Sequence, residues 1–274
     1  MKGWNLTLVA PFQIDLDASS LSAVATCDYE HEVCSITLIS SRPDRSFVVG
    51  DLFKVRPGTD DRVTIHGDVR FLHQLGYGWT ESTLRIEGDV GTGLGATMRS
   101  GCIEVFGKTM ASAGWQMRGG EIRISGDTGD YLGGPLPGRR SGMSGGRIVV
   151  YGNAGHHAGH CMRRGAIVLL GDCGDGVGTD MVAGTIVAGG TVGEFVGAGM
   201  RRGTVILAKT PAIDLIRFSS PRDVDLSFTR LIAHELSSVA PELAEAMHRP
   251  MKRYLGDRSV GGQGEILVSR PKLR

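Results

Sequence analysis

Lysine is scarce in this chain. Only six of its 30 basic residues are Lys, and with 29 acidic residues the formal net charge is +1. No general excess of positive charge is left to draw a nucleic acid. Cysteine is also sparse: Cys27, Cys34, Cys102, Cys161 and Cys173 are odd in number and form no CxxC pair. That argues against a disulfide framework, an iron–sulfur motif and a zinc knuckle. No apolar run approaches the roughly 20 residues of a membrane-spanning helix, and Met1 to Asn5 lack the apolar stretch of a signal peptide. The expectation is a cytoplasmic protein with no membrane partner. Glycine, in contrast, supplies 42 of the 274 residues, and with 10 Pro it excludes a coiled coil.

The glycines are periodic. Gly88, Gly107 and Gly126 are 19 residues apart, as are Gly152, Gly171 and Gly190, with a step of 26 between the groups. Met98, Met117, Met143, Met162, Met181 and Met200 keep the same spacing, and so do Gly101, Gly120, Gly146, Gly165, Gly184 and Gly203. Three columns sharing one insertion define a repeat. Each unit opens with an alternating apolar pair that ends on the first glycine, from Leu84 and Ile86 to Val205 and Leu207, which reads as a half-buried strand. A GxxGxxxG pattern follows at Gly88, Gly91, Gly95; Gly126, Gly129, Gly133; Gly152, Gly155, Gly159; Gly171, Gly174, Gly178; and Gly190, Gly193, Gly197. Glycine at fixed spacing implies the same bend in each unit.

Nineteen residues are too few for a strand, a crossover helix and turns. The leucine-rich-repeat consensus is absent. The spacing predicts an all-β chain, a right-handed parallel β-helix of about seven coils over 61–210. Residues 1–60 would form a small N-terminal β cap, and 211–274 a C-terminal helical arm and closing strand. Within the cap, strands are expected at Leu6–Val9, Val33–Ile39 and Phe47–Val48. Helices are expected at about Phe228–Leu236 and Pro241–Met247, and a last strand at Ile266–Val268.

Outward strand positions change along the repeat. Early ones are polar (Arg85, Glu104, Arg123), whereas Val149, Tyr151, Val168, Leu170, Val187 and Ile206 are apolar. A strand apolar on both sides is covered on both sides. The cover is either the chain's own C-terminal helices, with Leu231, Ile232 and Leu236, or a partner protein. These six residues are expected to form an interface.

With GxxGxxxG in five of six units, the chain resembles the C subunit of formylmethanofuran dehydrogenase and of its bacterial counterpart, the formyltransferase/hydrolase complex of methylotrophs. The ending Tyr254, Leu255, Gly256, Asp257 and Gly264, Glu265, Ile266, Leu267, Val268 looks like the tail of these proteins. The repeat is also similar to the C-terminal domain of the glutamate synthase large subunit, but Lys2 replaces that enzyme's N-terminal cysteine nucleophile. The resemblance implies a structural component with no active site of its own in tetrahydromethanopterin-linked oxidation of formaldehyde to formate. Its partners would be a formyltransferase, an amidohydrolase-like and a pterin-fold subunit. The alternative is the equivalent component of a molybdenum or tungsten formylmethanofuran dehydrogenase. The Arg-rich composition tilts the reading to the bacterial complex. A free-standing carbohydrate-active enzyme would show paired acids on one face, which the late units lack.

No cofactor is expected on this chain alone, though a polyglutamylated furan carrier could be shared with partners. Arg99, Arg118, Arg163 and Arg201 follow the Met column, with Arg164 and Arg202 one place on, and Arg139 and Arg140 lie in the insertion. Either these eight pair with acids such as Asp89, Asp127 and Asp172, or they hold the carrier's glutamyl tail by charge-assisted hydrogen bonds. The insertion, Leu132 to Arg140, is expected to reach a neighbouring subunit. His156, His157, His160 and Cys161 are expected to hold no metal, because adjacent strand residues face opposite ways and no carboxylate is expected nearby to orient them. No cysteine has a spacing that names a base, so no catalytic residue is expected.

Overall fold

Strands form where apolar residues alternate and end where glycine breaks the alternation. The protein is described by a computed structural model over residues 3–40, 45–80 and 82–270; Lys2 lies outside the described residues. In chain order the elements begin with β1 (Trp4–Leu8), β2 (Leu16–Asp17), α1 (Glu30–Cys34), β3 (Thr37–Ser40), β4 (Ser46–Val48), α2 (Val49–Leu52) and β5 (Phe53–Pro57). Then follow β6 (Arg62–His66), β7 (Leu72–His73), β8 (Thr83–Glu87), β9 (Cys102–Val105), β10 (Glu121–Ile124), β11 (Ser144–Val150), β12 (Arg164–Leu169), β13 (Thr185–Ala188) and β14 (Thr204–Leu207). The last are β15 (Arg222–Val224), α3 (Ser227–Leu236), α4 (Pro241–Met247), β16 (Met251–Gly256) and β17 (Gly264–Ser269).

The expected right-handed parallel β-helix of about seven coils is corrected by the sheet topology. The described strands form one 13-stranded mixed sheet, ordered β15-β16-β17-β14-β13-β12-β11-β10-β9-β8-β6-β1-β5, and one four-stranded sheet, β4-β3-β2-β7. The glycine repeat (GxxGxxxG, of the GXGXG type) likewise does not build the expected coils; its strands are part of that mixed sheet. Two physical reasons account for the difference. Only one stretch per unit sustains a ladder; the glycine-rich remainder contributes single-residue bridges such as Val90↔Thr109 and Thr109↔Thr128. Moreover, the terminal segments enter the long sheet, with β5 antiparallel on β1 at one end and β16 antiparallel on β17 at the other. In the middle, β8 to β14 pair in parallel, with Leu84 beside Ile103 and Ile186 beside Val205.

Residues Val33–Cys34, read as strand, are the last turn of α1 instead. The Glu32 carboxylate accepts from the backbone N–H of Asp28 and Tyr29 at 2.9 and 3.1 Å, which caps that helix. The strand proper starts at Thr37.

The inward side chains of β8 to β14 are fully buried, and the six columnar methionines lie among them. Each methionine packs where the next unit has no side chain. At Gly165, φ is +97°, and a Cβ would stand 2.8 Å from Met143 Cε and 2.6 Å from the Gly146 carbonyl oxygen. The methionine and second glycine columns are therefore two halves of one packing contact.

The outward face of the late strands is closed by the chain's own helices. Thr229, Ala233 and Leu236 are buried on α3, the i, i+4, i+7 spacing of one helical face. Leu243, Ala244, Ala246 and Met247 are buried on α4, which opens with Pro241 in its first turn. Apart from Thr229, these residues form one cluster with Val149, Val168, Val187 and Ile206. Leu231, expected in this contact, points away at 69% exposure. Of the six expected interface residues, those four are thus covered intramolecularly, Leu170 is partly buried against the cluster, and Tyr151 remains exposed.

Asp257 ties the C-terminal segment to the last repeat. It is fully buried; Oδ2 accepts from Gly199 N–H at 3.0 Å and Arg217 Nη1 at 3.2 Å, and Oδ1 from Ser259 N–H and Oγ, both at 2.7 Å. Burial by itself would raise its pKa, but the hydrogen bonds from Gly199, Ser259 and Arg217 outweigh it and hold the carboxyl at about 2. A folded pKa below the unfolded value near 3.8 means that this stabilisation is complete above about pH 4 and is lost as pH falls through 2. Asp257→Asn is therefore expected to lower stability at neutral pH by about 2 kcal/mol. It should also flatten the fall in melting temperature between about pH 4 and 2. Thermal unfolding across that range checks both, and an unchanged acid limb would contradict the assignment.

Candidate functional site: an arginine-lined groove

The arginines that follow the methionine column stand on successive rungs. Arg118 N–H donates to the Met98 carbonyl at 2.7 Å, Ser144 to Met117 at 2.7 Å, Arg163 to Met143 at 2.8 Å, Val182 to Met162 at 2.8 Å and Arg201 to Met181 at 2.8 Å. The methionine turns inward to the core, so the residue after it turns outward, and all of Arg99, Arg118, Arg163, Arg164, Arg201 and Arg202 are exposed. Rungs are about 4.8 Å apart, which puts the Arg163–Arg164 pair about 10 Å from the Arg201–Arg202 pair.

Between the two pairs lie Val182 and Ala183, whose short side chains make the floor of a groove of about 550 Å³. Val260, Gly261 and Gln263 complete its lining. Gln263 occupies the rung after Arg202, since its N–H donates to the Arg201 carbonyl at 2.7 Å and Thr204 pairs with Glu265. Sequence reasoning missed it, although Gly264 aligned on Gly203 would have shown it. Arg99 and Arg118 lie on the same column but do not line the groove. Nor do Arg139 and Arg140, which are exposed on the insertion.

Among the described residues none of the four groove arginines is in an ion pair. The acids proposed as their partners serve elsewhere. Asp127 pairs with Lys108 at 2.8 Å and Asp172 with Lys209 at 3.9 Å. Asp89, Asp127, Asn153 and Asp172 each accept from a backbone N–H one repeat on, at 2.7–3.0 Å. Other arginines do find acids: Arg123 reaches Glu121 at 2.8 Å, and Arg217 reaches Asp214 at 3.2 Å. Four arginines on neighbouring rungs, with no ion-pair partner among the described residues, repel one another and favour an anion between them. Their planar donor forks match carboxylate or phosphate oxygens.

The described cysteines offer no activated nucleophile. All five are free thiols, and burial pushes each of them up, Cys173 to about 12 with Asp172 adding to the shift. Among the described residues no helix is long and apolar enough to cross a membrane.

No family model matches the chain, and no curated protein matches it. A solved structure does: the crystal structure of the formyltransferase/hydrolase complex (FhcABCD) from Methylorubrum extorquens in complex with methylofuran contains a chain that is similar at 33% identity and a TM-score of 0.87. The match covers 97% of this chain and 100% of that one. Likeness of that degree over the full length of both chains shows that this protein belongs to the family of that component of the formyltransferase/hydrolase complex.

Proposed function

We propose that this chain is the C subunit of a formyltransferase/hydrolase complex in tetrahydromethanopterin-linked one-carbon metabolism. It has no active site of its own, assembles with formyltransferase, amidohydrolase-like and pterin-fold subunits, and holds the polyglutamyl tail of a furan carrier in its arginine groove. The observation that carries this reading is the two arginine pairs lining one groove with Val182 and Ala183, none of the four in an ion pair among the described residues. A glutamyl chain presents carboxylates in series, so successive rungs can each take one by charge-assisted hydrogen bonds. Family membership supports the assembly, because the related complex is a multi-subunit one that binds methylofuran. Arg139 and Arg140 on the exposed insertion would extend the cationic track toward a neighbouring subunit, and Tyr151 and Leu170 are left to meet one.

The test is carrier occupancy in the complex purified from its native host. Arg163→Ala, Arg164→Ala, Arg201→Ala and Arg202→Ala together are expected to weaken retention of the carrier at least about a hundredfold, since each charged hydrogen bond contributes about 1.5–3 kcal/mol. Retention in the unaltered complex should fall with added salt. Unchanged occupancy in an intact complex would overturn tail binding, and a chain that purifies alone would overturn the assembly.

A further inference from the structure

Sequence spacing argues against a metal at His160 and Cys161 on two grounds, and the structure removes both. A carboxylate is present: Asp180, in the next repeat, lies with its Oδ2 3.8 Å from His160 Nδ1. The adjacent side chains also converge, because Cys161 has φ +55°, which turns its thiol back until Sγ is 3.4 Å from His160 Nε2. The ligand atoms of His160, Cys161 and Asp180 all lie within 4.8 Å of one another. Tetrahedral zinc, with ligands at about 2.0–2.3 Å, sets them about 3.5 Å apart, so a contraction of about 1 Å closes the set. Asp180 is 61% exposed and free to make that movement.

The surroundings are those of a metal-ligating histidine. His160 Nδ1 lies 3.2 Å from the Thr179 carbonyl and 3.1 Å from its hydroxyl. With Nδ1 donating to that carbonyl, the Nε2 lone pair is left on the Cys161 side of the ring, and Asp180, whose Oδ2 now lies on the Nδ1 side, swings round to that side to complete the set. Tyr131 packs edge-on against the His160 ring at a centroid distance of 6.1 Å and stacks on His157 at 5.0 Å, walling one side. We propose that His160, Cys161 and Asp180 bind one divalent zinc-class cation, with water in the fourth position. Mixed nitrogen, sulfur and oxygen donors suit zinc over magnesium or calcium. On binding, the Cys161 thiol proton goes to solvent, the sulfur lone pair goes to the metal, His160 binds as neutral imidazole, and no electron is exchanged.

Cobalt(II) is the probe, added to the full chain, because a thiolate–cobalt bond gives a charge-transfer band in the near ultraviolet. One equivalent is expected to produce the band. Cys161→Ser is expected to abolish it, Asp180→Asn to weaken cobalt affinity about tenfold or more, and Cys27→Ser to leave it unchanged. No band with the unaltered chain, or a band that survives Cys161→Ser, overturns the site. If Cys161→Ser fails to fold, His160→Gln decides by the same readout: loss of the band supports the site, and its persistence overturns it.

Discussion

Ile206→Asp is expected to release α3 and α4 from the sheet. Ile206 is fully buried on the outward face of β14, in the cluster with Leu236, Leu243 and Met247. Its neighbours in that cluster are all apolar. A carboxylate there would lose its hydration without a partner, a cost of several kcal/mol. The helices can avoid that cost by leaving, since the opposite face of β14 keeps Val205 and Leu207 in the main core. Detachment would expose Val149, Val168 and Val187, an apolar strip crossing three neighbouring strands. The expected result is rapid proteolysis between residues 211 and 250, strong binding of a hydrophobic dye, and concentration-dependent association, with the strand signal in circular dichroism retained. Resistance to protease equal to that of the unaltered chain would mean that this face does not hold the helices.

Gly165→Val is expected to be the most damaging change within the repeat itself. At φ +97° a β-branched residue is strained by about 1–3 kcal/mol. Its Cβ would also overlap Met143 Cε at 2.8 Å and the Gly146 carbonyl oxygen at 2.6 Å. The methionine end can yield, whereas the oxygen belongs to the backbone of β11, at the register shift between Ser144 and Arg147, and cannot swing aside as a side chain can. A total loss of about 4 kcal/mol or more follows, which is exceptional for one residue. Met143→Ala in the same chain separates the two terms: it removes the flexible contact and leaves the strain, so the double variant should recover only part of the loss. Urea unfolding of the four proteins measures this. Full recovery would show that the methionine contact is the whole cost.

The strand positions are legible in the sequence because they are set by two short-range signals. Alternation puts Ile122 and Ile124 inward, and the following glycine ends the strand; β10 runs Glu121–Ile124. The two C-terminal helices are legible from apolar spacing and Pro241, although Leu231 lies on the solvent side of α3 and not on the buried one. The sheet architecture is not legible. Each part of a 19-residue unit carries the same weight in sequence, whereas the glycine-rich part makes only single bridges, and the terminal segments add antiparallel strands from far along the chain. Of the groove, the four arginines are readable by spacing. Gln263 escapes recognition because it returns to the column after an intervening excursion through α3 and α4. Asp180 escapes for a similar reason: it is remote from His160 in sequence and becomes its neighbour only when repeats stack.

By itself, the sequence determined which residues share a column, because a fixed period places equivalent positions one rung apart whatever surrounds them. The methionine–glycine contact and the arginine ladder follow from that spacing. Tertiary structure decided what each column meets. Pairing of a charge depends on where long side chains from distant segments end, so Lys108 and Lys209, not the arginines, took Asp127 and Asp172. Whether the apolar strip stayed open depended on two helices beyond the repeat, which fold back because burying Val168, Val187 and Ile206 outweighs the entropy of ordering them.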